Sequence, residues 1–390
     1  MAGFSAPLFL LSIKGVQFMQ MTDEVKEKML LKMCSHKDNG TPDVPFVQSL
    51  IEERLGYLPE KKLYKFRTCE EKNLEMLREN CIWMSPANQF TDMFDAVINM
   101  DFTDNAEKVM RWMITHNLQV GYGVAKCFCD WTGHTMDFRP KEVQDFLDHC
   151  LDEEGIIDQK KALEYAQKAG AVEAISSLHD ALNKFGSFRE DMEENTSQWE
   201  LRITKKMNAI RNSMRNSMVI YCMTERMDNH SLWENYADKY RGFCVEYDFA
   251  EFSKKPYKHY ENLAYLFPMS YVEKRPVYDM LPLLEGGLLE FFTGDDSWKK
   301  DPKLNAALNM QLLYKKDDYQ YEREWRFARK GTIGQKCYFP FVSAIYAGKD
   351  ISKDNLDKLL ENGKHLAVPV YRQEVNAFQN GFYYREVKEV

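Results

Sequence analysis

Tyr321-Glu322-Arg323-Glu324-Trp325-Arg326 packs two acids, two bases and two aromatic rings into six consecutive residues. Read as a strand, the segment puts Glu322, Glu324 and Arg326 on one face and Tyr321, Arg323 and Trp325 on the other, because strand side chains alternate. Two carboxylates and a guanidinium then converge. Such a cluster can hold a polar substrate or shift the proton affinity of a carboxylate, and it serves equally well as a salt-bridged sheet surface. Tyr321 and Trp325 form the packing side that holds the acids still.

Other residues suit the same site. On the strand expected at Lys62 to Arg67, Lys65 and Arg67 share a face, with Tyr64 between them and the start of the run. Two cations beside two glutamates fit an anionic cofactor and a buried ion network alike. Trp233 and Tyr236 lie three apart on a short helix, so they share a face that could stack on a base or nicotinamide ring or pack into the core. Arg241 precedes Gly242 at the beginning of a strand, where its fork suits a phosphate or a plain pair with Asp238 or Glu246. Ser85 ends a second strand. Asp92 and Asp95 could hold a metal or a ribose hydroxyl, and as turn formers they also satisfy local amides, with Phe94 between them as a core anchor.

The elements that must position these groups come from distant parts of the chain. A chain of 390 residues with 44% apolar and 13% aromatic content can bury one large core or two smaller ones. Residues 1–60 read as an N-terminal appendage, with an apolar strand at Ala6 to Ile13, a helix at Thr22 to Cys34 and a turn-rich link at Asp38 to Pro45. Residues 61–104 hold the first strand, a helix at Glu70 to Glu79 and a strand at Cys81 to Ser85. A helical insertion of three to five helices follows at 105–212. Residues 213–390 bring strands at Ser217 to Met223, Gly242 to Tyr247, Glu324 to Ala328 and Phe341 to Tyr346, then a helix at Lys353 to Asn362. The expected class is α+β, with a mixed, largely antiparallel sheet assembled from distant segments and interrupted by the insertion.

The net charge of −8 argues against broad nucleic-acid binding, which needs a basic face. Nine irregularly spaced cysteines read as reduced core thiols and point to a cytosolic, cytoplasmic home. The N-terminal apolar run is too short to span a bilayer and lacks a basic leader region, so no membrane association is expected. Cys127, Cys129 and His134 lie close together, but His149-Cys150 is the best remote second pair, so no metal is expected. G-x-S-x-G, Walker A and G-x-G-x-x-G motifs do not occur.

Leu63-Tyr64-Lys65-Phe66-Arg67, Ile82-Trp83-Met84-Ser85-Pro86 with the turn at 89–95, Leu232-Trp233-Glu234-Asn235-Tyr236-Ala237 and Tyr240-Arg241-Gly242-Phe243-Cys244-Val245 resemble the bacterial domain of unknown function 2971 family. Residues 321–327 resemble its Y-E-x-E-W-R signature, and Ala344-Ile345-Tyr346-Ala347-Gly348 its late strand. The resemblance runs over roughly residues 60–350 outside the insertion. It departs at Thr91 and Met93, where the family carries N-D-P-F-D.

The order of an early base, a helix, a strand ending near serine and a late Glu-x-Glu is similar to the ADP-ribosyltransferase superfamily. That similarity implies Arg67 as the early base on the NAD ribose or phosphate, Glu324 as the late acid and Glu322 as the group that orients an acceptor. The superfamily's S-T-S motif is absent, and Ser85 or Tyr236 stands nearest to it. The implied function is an ADP-ribosyltransferase-like or NAD/nucleotide-processing enzyme of a bacterial accessory or defence-type system, with NAD as substrate. Glu324 and Glu322 are the catalytic pair, while Tyr64, Lys65, Arg67, Ser85, Asp95, Trp233, Tyr236, Arg241 and Arg326 surround the ligand. One alternative is a sensor module that binds a small nucleotide-like ligand and signals to a protein partner through the helical insertion. Another is a metal-dependent nuclease using Asp92, Asp95, Glu322 and Glu324.

Overall fold

The structure is a computed structural model of the 390-residue chain. It describes residues 10–13, 16–19, 21–36, 42–90, 92, 95–99, 149, 160, 161, 164, 165, 168, 212, 213, 215–279, 282, 296–331, 333–376 and 381–387. The chain divides into two compact units. One comprises Met1–Val97, Asn212–Pro276 and Ala306–Val390, the other Ile98–Arg211 and Val277–Asn305. The expected helices of the insertion, Thr91, Met93 and Phe94 of the turn, and Cys127, Cys129, His134 and Cys150 all lie outside the described residues.

The first unit is built on strands that are apolar on their core-facing side. β1 (Leu10–Ile13) and β2 (Val16–Met19) form a separate hairpin. Two helices follow, α1 (Asp23–Ser35), capped by Thr22, and α2 (Val44–Leu55), capped by Asp43 with proline in its first turn. Asp43 and Pro45 read from sequence as turn residues, whereas in the fold they start a helix. Asparagine or aspartate at the cap and proline just inside it are ordinary helix openers, so the same residues carry both meanings. α1 and α2 send Met29, Leu30, Ile51 and Leu55 into the main core, so residues expected as an appendage contribute to its packing.

β3 (Lys62–Arg67), α3 (Glu71–Arg78) and β4 (Cys81–Pro86) come next, and β5 (Met218–Thr224) resumes the sheet. After it come α4 (His230–Tyr236), β6 (Phe243–Asp248), β7 (Leu266–Pro268), β8 (Ser270–Val272), α5 (Pro302–Gln311) and β9 (Tyr314–Lys316). The chain closes with β10 (Glu324–Lys330), β11 (Gln335–Tyr338), β12 (Val342–Ala347), α6 (Lys353–Leu366), β13 (Val370–Asn376) and β14 (Gly381–Glu386). Ten strands form one mixed sheet in the order β11-β4-β5-β3-β6-β12-β13-β14, with β10 on β5 and β7 on β10. Its pairs are antiparallel except β12 with β13, whose parallel pairing is bridged by α6. The expected α+β class, with a largely antiparallel sheet drawn from distant segments, is the observed one.

Two features of this sheet shape the site. β10 runs the full length of β5, from Glu324 opposite Thr224 to Lys330 opposite Met218. β3 instead meets β5 at one residue pair, Tyr64 against Thr224, so the sheet opens there.

The turn before β6 is conformationally demanding. Asp238, Lys239 and Tyr240 all have positive φ (47°, 52° and 66°), and Gly242 then donates to the Ala237 carbonyl at 2.8 Å while accepting from Gly348 N at 3.0 Å. A Cβ at 242 would press into the Arg67 carbonyl and the Ala237 backbone, neither of which can swing aside. Gly242→Ala is therefore expected to lose about 1–3 kcal/mol of stability, the usual cost of overpacking. The check is a denaturant titration, and an unshifted midpoint would show that this turn yields.

Among the described residues no helix is long and apolar enough to cross a membrane. The described cysteines, Cys34, Cys69, Cys81, Cys222, Cys244 and Cys337, are free thiols.

Candidate functional site

Residues 321–326 are not one strand. Asp317–Glu322 is a 3-10 turn, Arg323 is left-handed (φ 41°, ψ 53°) and β10 begins at Glu324. Simple alternation therefore places Glu324 and Arg326 together but says nothing about Glu322. Glu322 joins them because the left-handed residue reverses the chain just before the strand. A non-glycine residue held at positive φ costs about 1 kcal/mol or more and persists only where its surroundings impose it.

The neighbours of this kink fix it from several sides. Thr224 Oγ1 donates to the Glu322 carbonyl (2.6 Å), and Glu225 N donates to the Arg323 carbonyl (3.2 Å). Asn229, the cap of α4, accepts from Leu232 N and donates through Nδ2 to the Tyr321 carbonyl. Tyr271 Oη accepts from Glu324 N (2.7 Å). The turn is thereby tied to β5, α4 and β8.

The result is a closed ionic network. Arg326, completely buried, donates twice to Asp95 (2.8 and 2.9 Å), once to Glu324 Oε1 (2.7 Å) and once to the Leu312 carbonyl (3.2 Å). Lys315 Nζ donates to Glu322 Oε2 (2.5 Å) and Glu324 Oε2 (2.9 Å) and lies 4.0 Å from Asp95 Oδ2. Tyr236 Oη donates to Glu322 Oε1 (3.3 Å). Every oxygen of the three carboxylates thus has a partner. Three acids face two bases, which leaves a formal excess of one negative charge.

The two glutamates are pushed apart electrostatically. Burial alone raises Glu324, but the Arg326 and Lys315 charges outweigh it and hold this carboxyl well below the usual range. For Glu322 burial dominates; assisted by the Glu324 charge and opposed by Lys315, it lifts this carboxyl above its ordinary value. One acid stays ionised while its neighbour holds a proton more readily, the signature of divided roles in a carboxylate pair. Burial, with the Glu324 charge beside it, also pushes the Cys222 thiol up to about 12, so it is not a thiolate nucleophile.

These groups line a cleft of about 300 Å³. Its walls carry the rings of Tyr64, Phe66, Phe90, Tyr236 and Tyr319, and its polar surface includes Lys65, Asp92 and the ionic network. Of the residues expected at the site, Tyr64, Lys65, Asp95, Tyr236, Glu322, Glu324 and Arg326 come together here.

Four expected ligand contacts do not. Trp233 is fully buried, donates its indole N–H to the Met227 carbonyl (2.9 Å) and stacks on Tyr240, so it anchors α4 while Tyr236 faces the cleft. Arg241 sits on the surface with its fork on Asp238. Ser85 lies on β4 opposite Ile220, away from the cleft lining. Arg67 lies over the Tyr221 ring, outside the lining, whereas Lys65 is part of it. On the supposed packing side of the motif, Trp325 is buried and bonds Glu225 (2.7 Å), but Tyr321 is 42% exposed and packs little.

Lys315 went unread in the sequence. Its strand has three residues, too few to show a period, and the adjacent Lys316 pairs with Asp318 at the surface. The available signal was a basic pair placed just before an acidic turn. The ligand set imagined for a metal is otherwise engaged, since Arg326 occupies both Asp95 oxygens and the Lys315 ammonium sits between the glutamates. Among the described residues no group of three or more His, Cys, Asp or Glu is placed to hold a metal ion.

Residues 232–327 match the family described as protein of unknown function (DUF2971). The match takes in α4, the turn before β6, Lys315, Glu322, Glu324 and Arg326, while Asp95, β3, β4 and β12 fall outside it. No curated protein and no solved structure matches the chain.

Proposed function

We propose that this DUF2971 chain is an ADP-ribosyltransferase-like enzyme whose cleft opens the bond between nicotinamide and ribose in NAD or a related nucleotide. The observation that carries this reading is the split carboxylate pair, Glu324 kept ionised and Glu322 inclined to hold a proton, under a rim of aromatic rings. As the C1′–N bond breaks, its electron pair goes to the departing ring and positive charge grows on the ribose. A carboxylate already oriented by Arg326 and Lys315 stabilises that charge without reorganising. Glu322 accepts the proton of the incoming hydroxyl as the new C–O bond forms, a task suited to a carboxylate of raised basicity. Tyr236 and the other rings supply the stacking surface for the flat base.

The purified protein is expected to release nicotinamide from NAD or to label itself or a cell extract with ADP-ribose. Glu324→Gln should lower that rate by about 10²–10³-fold, comparable to losing one preorganised charge-stabilising group. A folded wild-type protein that releases no nicotinamide between pH 5 and 9 would dispose of the enzyme reading.

A second reading is favoured by one observation, that all six carboxylate oxygens are already partnered within the protein. A network so complete suits a rigid wall of a binding site, and the cleft would then sense a nucleotide-like ligand without turning it over. A ligand-dependent rise in melting temperature with no product is the result that separates this from catalysis.

A further inference from the structure

Lys65 differs from the other two bases of the cleft. Lys315 and Arg326 each hold carboxylates, whereas Lys65 makes no ion pair among the described residues. Its ammonium instead lies 5.2 Å from the centre of the Tyr221 ring, which it shares with the Arg67 guanidinium at 5.5 Å. Two cations therefore sit side by side on one phenol ring where β3 and β5 part, and one of them lines the cleft.

We propose that Lys65 is a nucleophilic amine that captures the carbonyl carbon of an aldehyde or ketone ligand in the cleft as an imine. An amine crowded by a second cation loses its proton more easily, which is one way lysines become nucleophiles; Lys65 is only partly buried, so the cleft can reach it. Burial first and the Arg67 charge second pull Lys65 down to about 8, against the opposing pull of Cys222, Glu324 and Glu322. The neutral amine adds to the carbonyl carbon, and the carbonyl oxygen becomes a hydroxyl. That oxygen, protonated first by the amine's own N–H proton and then by the Glu322 carboxyl, leaves as water while the nitrogen lone pair forms the C=N bond, and the remaining N–H proton returns to the Glu322 carboxylate. Amine and carbonyl thus give imine and water, with no oxidant or reductant. This activity does not depend on cleavage of NAD.

The test is reductive trapping with propanal and cyanoborohydride, which reduces the imine to a propylated amine, followed by peptide mass mapping. At pH 7.5 Lys65 should be labelled about tenfold faster than the exposed Lys28 and Lys254, since its neutral fraction is far larger at that pH. Its labelling should rise with a midpoint near pH 8, and Arg67→Met should move that midpoint upward. Lys65→Arg, which keeps the charge, should abolish labelling at this site with an unchanged melting temperature. Equal labelling of all lysines, or a Lys65 midpoint near the ordinary lysine value of about 10.5, would overturn the proposal. The readout needs no nicotinamide release, so trapping without turnover removes only the transferase reading, and turnover without trapping removes only this one.

Discussion

Arg326→Met is expected to destabilise the fold by about 3–5 kcal/mol, the range for removing one partner of a buried ion pair. The guanidinium is fully buried and makes four hydrogen bonds, two of them a fork on Asp95 and one to Glu324. Methionine fills much of the volume, so the loss comes from stranding two buried carboxylates rather than from a cavity. Arg326→Lys should recover only part of it, because an ammonium cannot reproduce the planar fork. The Arg241–Asp238 pair is the control: it is exposed, and Arg241→Met should leave the denaturation midpoint where it was.

The deficit should also depend on pH. Glu324 is depressed in the fold, so its ionisation contributes stability above the ordinary carboxylate value, lost as pH falls through the folded one. Without Arg326 the depression weakens, and wild type and variant should converge in acid. A gap that stays constant from about pH 5 down to about pH 2, the span over which a depressed carboxylate gives up its contribution, would mean that the guanidinium acts by packing alone.

Lys315→Met is the second large effect, with a similar expected loss of about 3–5 kcal/mol near neutral pH. Here the sign of the pH dependence comes from Glu322. Its carboxyl is already raised in the fold, and the Lys315 charge is what restrains it. Removing that charge lifts Glu322 further. A carboxyl raised on folding favours the fold below its unfolded value, and that contribution disappears as pH rises through the folded value. The variant should therefore be weakest at pH 8 and regain stability towards pH 5. Adding Glu322→Gln to Lys315→Met should flatten this profile, since the titrating group is gone. Urea titrations across that interval measure it, and an equally steep profile in the double variant would assign the dependence elsewhere.

The strands at β4, β5, β6 and β12 were legible as runs of apolar and β-branched or aromatic residues bounded by turn formers, and β3 and β10 as charged residues interleaved with aromatic and apolar ones. α3 and α6 were legible from helical spacing. α2 was not, because its cap and first-turn proline carry the same residue types as a loop. β8 and β9 have three residues each and exist only because their neighbours complete the hydrogen bonds. The polar hairpin β13–β14 reads as surface chain until β12 supplies it with a partner.

Glu322, Glu324 and Arg326 were marked by composition, since so much charge in six residues needs compensation wherever it is buried. Which charges compensate it was a matter of tertiary structure. Asp95 arrives from 231 residues away to take the Arg326 fork, and Lys315 enters from a strand too short to predict. Trp233 and Tyr236 looked equivalent by spacing, yet helix α4 packs the first and presents the second. Residue type and local period follow from the chain itself, because they rest on covalent geometry and near-neighbour contacts. The assignment of each ion to its partner, and with it the split between the two glutamates, depends on burial and on distances between remote segments, which exist only once the sheet has closed around them.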